Sequence, residues 1–178
     1  MKLLLSIVLT ACLTTFSFAQ RTFIQNGKLN GIVPVDTTGK ITFRHVEIAE
    51  GVSKVDIFKR ARKWFLKTYN QPKDLLEVND ATTGEVSGKG TLSFVESTGL
   101  YNQTYNVYHV VSIDAAEGKY RVTLSSFTVQ GTSYIFPAEK FPYVSQKFLD
   151  RFYGNIDKKV NERLSSLKKA VTTADNFD

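Results

Sequence analysis

The chain has 178 residues, 42% of them hydrophobic, with 23 Lys and Arg against 17 Asp and Glu for a formal charge of +6, and one cysteine, Cys12. That length suits one domain with a packed core, and a single cysteine excludes a disulfide framework or a thiolate metal centre. So modest an excess of cations is the ordinary solubility device of a globular surface, and no nucleic-acid partner is expected from it.

The elements, taken in chain order, begin with a secretory signal peptide over residues 1–19. Met1-Lys2 supplies a cationic start, the run from Leu3 to Leu9 is apolar, and Ser17-Phe18-Ala19 places small residues three and one before the Ala19–Gln20 bond. The apolar run is too short to span a bilayer comfortably. Leu9-Thr10-Ala11-Cys12 is a competing processing site, because it resembles a lipobox whose Cys12 would carry lipid. The apolar stretch from Leu13 to Phe18 stands where a lipoprotein has a polar tether, so cleavage after Ala19 is favoured. The exported chain is expected in the periplasm or outside the cell, without a transmembrane segment. It would keep no thiol.

Residues 20–31, with Asn26-Gly27 and Asn30-Gly31, read as an extended polar leader, and 32–178 as a single α+β domain. Asp36-Thr37-Thr38-Gly39 is a turn signal. Lys40 to Ile48 reads as a strand. Ser53 is placed to cap a helix, with Asp56 where the Glu of a capping box usually stands. Ile57, Phe58, Ala61, Trp64, Phe65 and Tyr69 share one side of that helix, and Lys59, Arg62, Lys63 and Lys67 the other, where Leu66 also falls. Pro72 ends the helical region. Four strands follow: Leu75 to Asn79, Val86 to Val95, Tyr101 to Ile113 and Tyr120 to Val129. Turns at Asp80–Gly84, Thr98-Gly99 and Glu117-Gly118 separate them, which predicts an antiparallel meander. A loop rich in proline and aromatics runs from Gly131 to Pro142. Phe148, Phe152, Ile156, Val160, Leu164, Leu167 and Val171 then predict a long helix from about 145 to 172, about 42 Å at 1.5 Å per residue.

The fold class is therefore α+β: an antiparallel sheet of about five strands with two helices on one face, in the order strand, helix, four strands, helix. This order, with Pro34-Val35-Asp36-Thr37-Thr38-Gly39-Lys40-Ile41, then Ala61-Arg62-Lys63-Trp64-Phe65, then Ser87-Gly88-Lys89-Gly90, resembles a family of small secreted Bacteroidetes domains of unknown function described as having a TATA-binding-protein-like fold. The likeness covers roughly Ile32 to Val129. The resemblance implies the fold and no activity, and likeness to a DNA-binding protein does not transfer DNA binding.

The chemical motifs are sparse. Ser87-Gly88-Lys89-Gly90 lacks phosphate-loop spacing and sits inside a strand; its glycines are better explained as making room for Trp64 or Phe65. His45 and His109 have no partners at metal-ligand spacing, and His109 lies on an apolar strand face, as a core histidine with one hydrogen-bond partner would. Glu47, Asp56, Glu77, Asp80, Glu85, Glu96, Asp114 and Glu117 are scattered singly, whereas glycoside hydrolysis needs a held pair. No Gly-x-Ser-x-Gly elbow is present, and Asn102-Gln103-Thr104 is a glycosylation sequon without consequence in a bacterium. No catalytic residue, metal ligand or cofactor is assigned.

The expectation is a non-enzymatic binding domain that meets an envelope protein, a peptide or an acidic glycan. Strand parity sends Arg44, Lys89 and Arg121 to the face away from the helices, with Thr42, Thr91, Thr123 and Ser125, and Tyr108 adds an aromatic platform. An enzyme whose site assembles only in three dimensions, or a structural component of an envelope complex, are the alternatives. Peripheral membrane contact through Lys59, Arg62, Lys63 and Lys67 is the lesser possibility for the basic helix face.

Overall fold

The computed structural model describes residues 23–70, 76–97, 102–131, 135–142 and 145–173. The signal segment, Cys12, Pro72 and the Thr98-Gly99 turn lie outside the described residues. Among the described residues three short strands come first: β1 (Ile24–Gln25), β2 (Lys28–Leu29) and β3 (Val33–Pro34), forming a small sheet in the order β1-β2-β3. The segment expected as an extended leader thus turns back on itself. The cause is local, since Asn26 and Gly27 have φ of 51° and 70°, the left-handed pair that a two-residue hairpin needs. Leu29 and Val33 are buried, so this segment contributes to the core.

The main sheet contains β4 (Phe43–Ile48), β5 (Leu76–Asp80), β6 (Glu85–Ser97), β7 (Asn102–Ala116), β8 (Lys119–Gln130) and β9 (Ile135–Pro137). Its order is β4-β8-β7-β6-β5, with β9 also paired to β8, and every pairing is antiparallel. Among the described residues the sheet has six strands where about five were expected. The sixth, β9, comes from the proline-rich loop, where three residues carry no readable alternation. A bulge in β8 places Ser126 at φ 56°. The extra residue keeps Phe127 and Val129 facing inward after Leu124.

Two helices, α1 (Lys54–Tyr69) and α2 (Gln146–Thr172), cover one face. Ser53 caps the helix as expected: its hydroxyl accepts from the Asp56 amide at 3.1 Å and donates to the Asp56 carboxylate at 2.8 Å, where a full capping box would bring that carboxylate to the Ser53 backbone N–H. Such a cap stabilises the helix by about 1 kcal/mol. Asn70, in the left-handed conformation, ends α1. A 3-10 turn (Ala138–Lys140) and Ser145, which caps α2 through the Phe148 amide, lead into the last helix. α2, at about 1.5 Å per residue, runs the length of the long strands at about 3.3 Å each.

The core forms where the inward residues of β6, β7 and β8 meet Ile57, Phe58, Ala61 and Phe65 of α1 and Phe152, Ile156, Val160 and Leu167 of α2, all buried. At one end the rings of Phe141 and Phe152 lie 4.3 Å apart and Tyr105 packs edge-on against Phe152. No described helix is long and apolar enough to cross a membrane.

Candidate functional site

Register fixes which side chains occupy the face away from the helices. Arg44 pairs with Thr123, Val46 with Arg121, Asp114 with Arg121, Lys89 with Val110, and Thr91 with Tyr108. Paired residues in an antiparallel sheet project to the same side, and their neighbours Phe43, Val122, Ile113, Val111 and Leu92 are buried against the helices. Arg44, Lys89, Tyr108 and Arg121 therefore share one surface, together with Thr91, Thr123, Ser125 and Thr128.

The character of that surface differs from a basic floor. Arg121 donates from Nε to Asp114 at 2.9 Å, and Lys89 lies 3.7 Å from Glu77. The Asp114 partnership is a consequence of the two-residue turn at Glu117-Gly118, which pairs Ala116 with Lys119 and so sets Asp114 opposite Arg121. The Lys89 partner comes from a bulge between Leu76 and Val78, which no sequence pattern announces. Tyr108 is tethered, donating its hydroxyl to Gln130 at 2.6 Å. Arg44 has no ion-pair partner among the described residues.

A feature that sequence reasoning missed lies beside Arg44. Val46 and Ile48 are 61% and 57% exposed on the edge strand β4. Counted by parity, they stand on the Arg44 side, while Glu47 turns toward the helices and meets Lys168 of α2 at 2.8 Å. The usual pattern is inverted over this half of the strand, with aliphatic residues outward and a charge inward. Two-residue alternation from Arg44 was the signal available for it.

Of the remaining sequence candidates, His45 is exposed on β4, and the others have structural partners. Ser87-Gly88-Lys89-Gly90 lies inside β6. Gly90 makes room for an aromatic ring, but the ring is Tyr69 rather than Trp64 or Phe65: a Cβ there would lie 2.5 Å from Tyr69 Cε1. Trp64 is buried, and its indole donates to Ser166 of α2 at 3.0 Å. His109 is a core residue, 2% exposed, stacked on Phe127 and 3.2 Å from the Tyr69 hydroxyl through Nε2. Burial pushes its pKa down to about 4, with the Val107 carbonyl opposing and Arg163 adding to the shift.

Seven of the eight scattered carboxylates are tied to separate partners. Asp80 holds the Thr82 amide at 2.8 Å, Glu117 the Lys54 amide at 3.0 Å, and buried Glu96 binds Arg151 at 3.0 Å and the Asn155 amide. Among the described residues, no group of three His, Cys, Asp or Glu side chains is arranged to hold a metal ion.

Residues 43–130 match the family described as a domain of unknown function (DUF4468) with TBP-like fold. A TBP-like protein from Parabacteroides distasonis is similar in structure, with a TM-score of 0.66 and 16% identity over 80% of this chain and 99% of that one. A DUF4468 family protein from Bacteroides ovatus gives a TM-score of 0.62 and 18% identity over 82% of this chain and 94% of that one. No curated protein matches the chain. The antiparallel sheet carrying two helices on one face is the TBP-like fold, and residues 43–130 within it, from β4 to β8, match the DUF4468 domain.

Proposed function

We propose that this chain is an exported, non-enzymatic binding domain that receives another protein on the open face of its sheet, along β4. The observation that carries the reading is the exposure of Val46 and Ile48 beside Arg44, on the side opposite both helices. Apolar side chains standing free on a sheet edge are costly to leave in water and are ordinarily covered or charged. The surrounding hydroxyls and the Arg121–Asp114 pair supply the polar surroundings that an interface of moderate affinity carries. A broad sheet surface suits a protein partner better than a small ligand, which is normally held in a concavity. The export half of the reading rests on the cationic start, apolar run and Ser17-Phe18-Ala19 of the first residues.

Site-specific photo-crosslinking in cells tests it. A crosslinker at Val46 or Thr123 should give one discrete protein adduct, and one at Lys158 on α2 should not. The adduct should disappear when Val46→Asp and Arg44→Glu are combined in a variant whose circular dichroism is unchanged. Adducts from Lys158 alone, or none from the sheet face, would refute the assignment.

A further inference from the structure

The helical side carries a second surface of different chemistry. Between α1 and α2 runs a groove of about 590 Å³. Five of its side chains are cations: Arg60, Lys63 and Lys67 from α1, Arg163 and Lys169 from α2. Among the described residues no carboxylate lines it. Elsewhere on the same helix the charges are matched, Lys159 to Glu162 at 2.9 Å and Lys168 to Glu47 at 2.8 Å. Lys67 and Lys169 have no carboxylate partner among the described residues. A concavity lined by one sign of charge focuses its field and concentrates counter-ions of the other sign.

The groove is also built. Arg60 is fixed by donating to the Val171 carbonyl at 2.7 Å. Arg163 lies over the Tyr69 ring at 5.7 Å, and its buried Nε has no hydrogen-bond partner. The indole of Trp64 forms part of the wall, held by Ser166. Two anchored guanidinium groups and exposed ammonium groups around one cavity match a group with several charged oxygens better than a lone carboxylate. A guanidinium binds phosphate oxygens through paired donors and an ammonium binds them as a point charge.

We propose that this inter-helix groove binds a phosphate-bearing ligand, with Lys67 and Lys169 at its mouth and Arg60 and Arg163 deeper. The same chemistry is offered by an anionic lipid headgroup and by a phosphorylated solute. The site is independent of the sheet face, so either assignment stands if the other fails.

Trp64 is the only tryptophan in the chain, so its fluorescence reports on this groove. The purified chain is titrated with tripolyphosphate and, in a parallel arm, with phosphatidylcholine vesicles with and without phosphatidylglycerol. A saturable change in Trp64 emission is expected in at least one arm. A response to phosphatidylglycerol vesicles identifies a headgroup, and a response to tripolyphosphate alone identifies a solute. The double variant Lys67→Glu, Lys169→Glu should bind at least about tenfold more weakly, the scale of losing charge-assisted contacts. The neutral pair Lys67→Gln, Lys169→Gln should fall between it and the native chain, and serves as the test if the Glu pair misfolds. No saturable response in either arm would overturn the proposal. So would unchanged affinity in a folded double variant, or an equal response to sulfate at matched ionic strength.

Discussion

Tyr69 and Gly90 share one space: the ring at the end of α1 lies where a side chain on the middle of β6 would begin, 2.5 Å from the position of a Cβ on Gly90. The same ring packs against Trp64, Phe65 and His109 with centroids 5.9, 5.1 and 5.6 Å away, so it has little freedom to retreat. Gly90→Ala is expected to destabilise the chain by about 1–3 kcal/mol, the range for overpacking a core. Part of that penalty should vanish in a Tyr69→Leu background, the rest staying with His109 Nε2, which lies 2.9 Å from the same Cβ position. A double-mutant cycle by urea denaturation measures this, and additive effects would show that the two residues do not collide.

His109 makes stability depend on pH. Its folded pKa of about 4 lies below the ordinary 6.5, so between those values the unfolded chain binds more protons than the folded one. Stability from this residue is complete above about pH 6.5 and is lost as pH falls toward 4, by about 3 kcal/mol in all. The carboxylates held by hydrogen bonds, Asp36 and Asp80, act in the same direction at lower pH. Urea denaturation at pH 7 and pH 4.5 should therefore show a smaller difference for His109→Leu than for the native chain. Equal pH dependence in the two proteins would mean that His109 takes up its proton at the same pH in the fold as in the unfolded chain.

How far this arrangement was legible in the sequence differs from element to element. The Ser53 cap, the long strands and the common side of Arg44, Lys89 and Arg121 follow from local chemistry and two-residue alternation, and the register agrees with them. The first hairpin and β9 escaped because strands of two or three residues have no period to read. The aromatic beside Gly90 was misassigned because helix-wheel position places Trp64, Phe65 and Tyr69 on one side without saying which meets the sheet and which meets α2. Ion pairs were the least legible. Arg121–Asp114 could have been counted out from the turn, whereas Lys89–Glu77 depends on a bulge and Glu96–Arg151 on how α2 lies across β6.

Trp64 bridges the helices. Because its ring is 7% exposed and its nitrogen donates to Ser166 at 3.0 Å, Trp64→Ala should cost about 3–5 kcal/mol. Trp64→Phe keeps most of the volume and loses the hydrogen bond, costing about 1 kcal/mol from that bond. Denaturation followed by circular dichroism gives both values. Native emission of the tryptophan should lie to the blue of an indole in water. A water-like maximum would place the ring outside the helix pair.

Glu96 and Arg151 form the ion pair whose two halves should respond most unequally to substitution. The Glu96 side chain is 4% exposed on the inward side of β6, while Arg151 is 40% exposed on α2. Removing Arg151 leaves a carboxylate inside the protein with Asn155 as its remaining partner, and uncompensated buried charge is the costly outcome. Arg151→Met, which keeps an unbranched side chain and removes the charge, is expected to cost about 3 kcal/mol. Glu96→Gln retains an acceptor for Arg151 and leaves that guanidinium in reach of water, so it should cost less, about 1 kcal/mol. The double variant Glu96→Met, Arg151→Met removes the charge together with its partner and should be more stable than Arg151→Met alone, since an apolar pair avoids the desolvation that the ions require. Urea denaturation of the three variants at pH 7 decides it. If Glu96→Gln proves as damaging as Arg151→Met, the carboxylate is better hydrated than its position indicates, and the pair would hold α2 to the sheet by geometry rather than by charge.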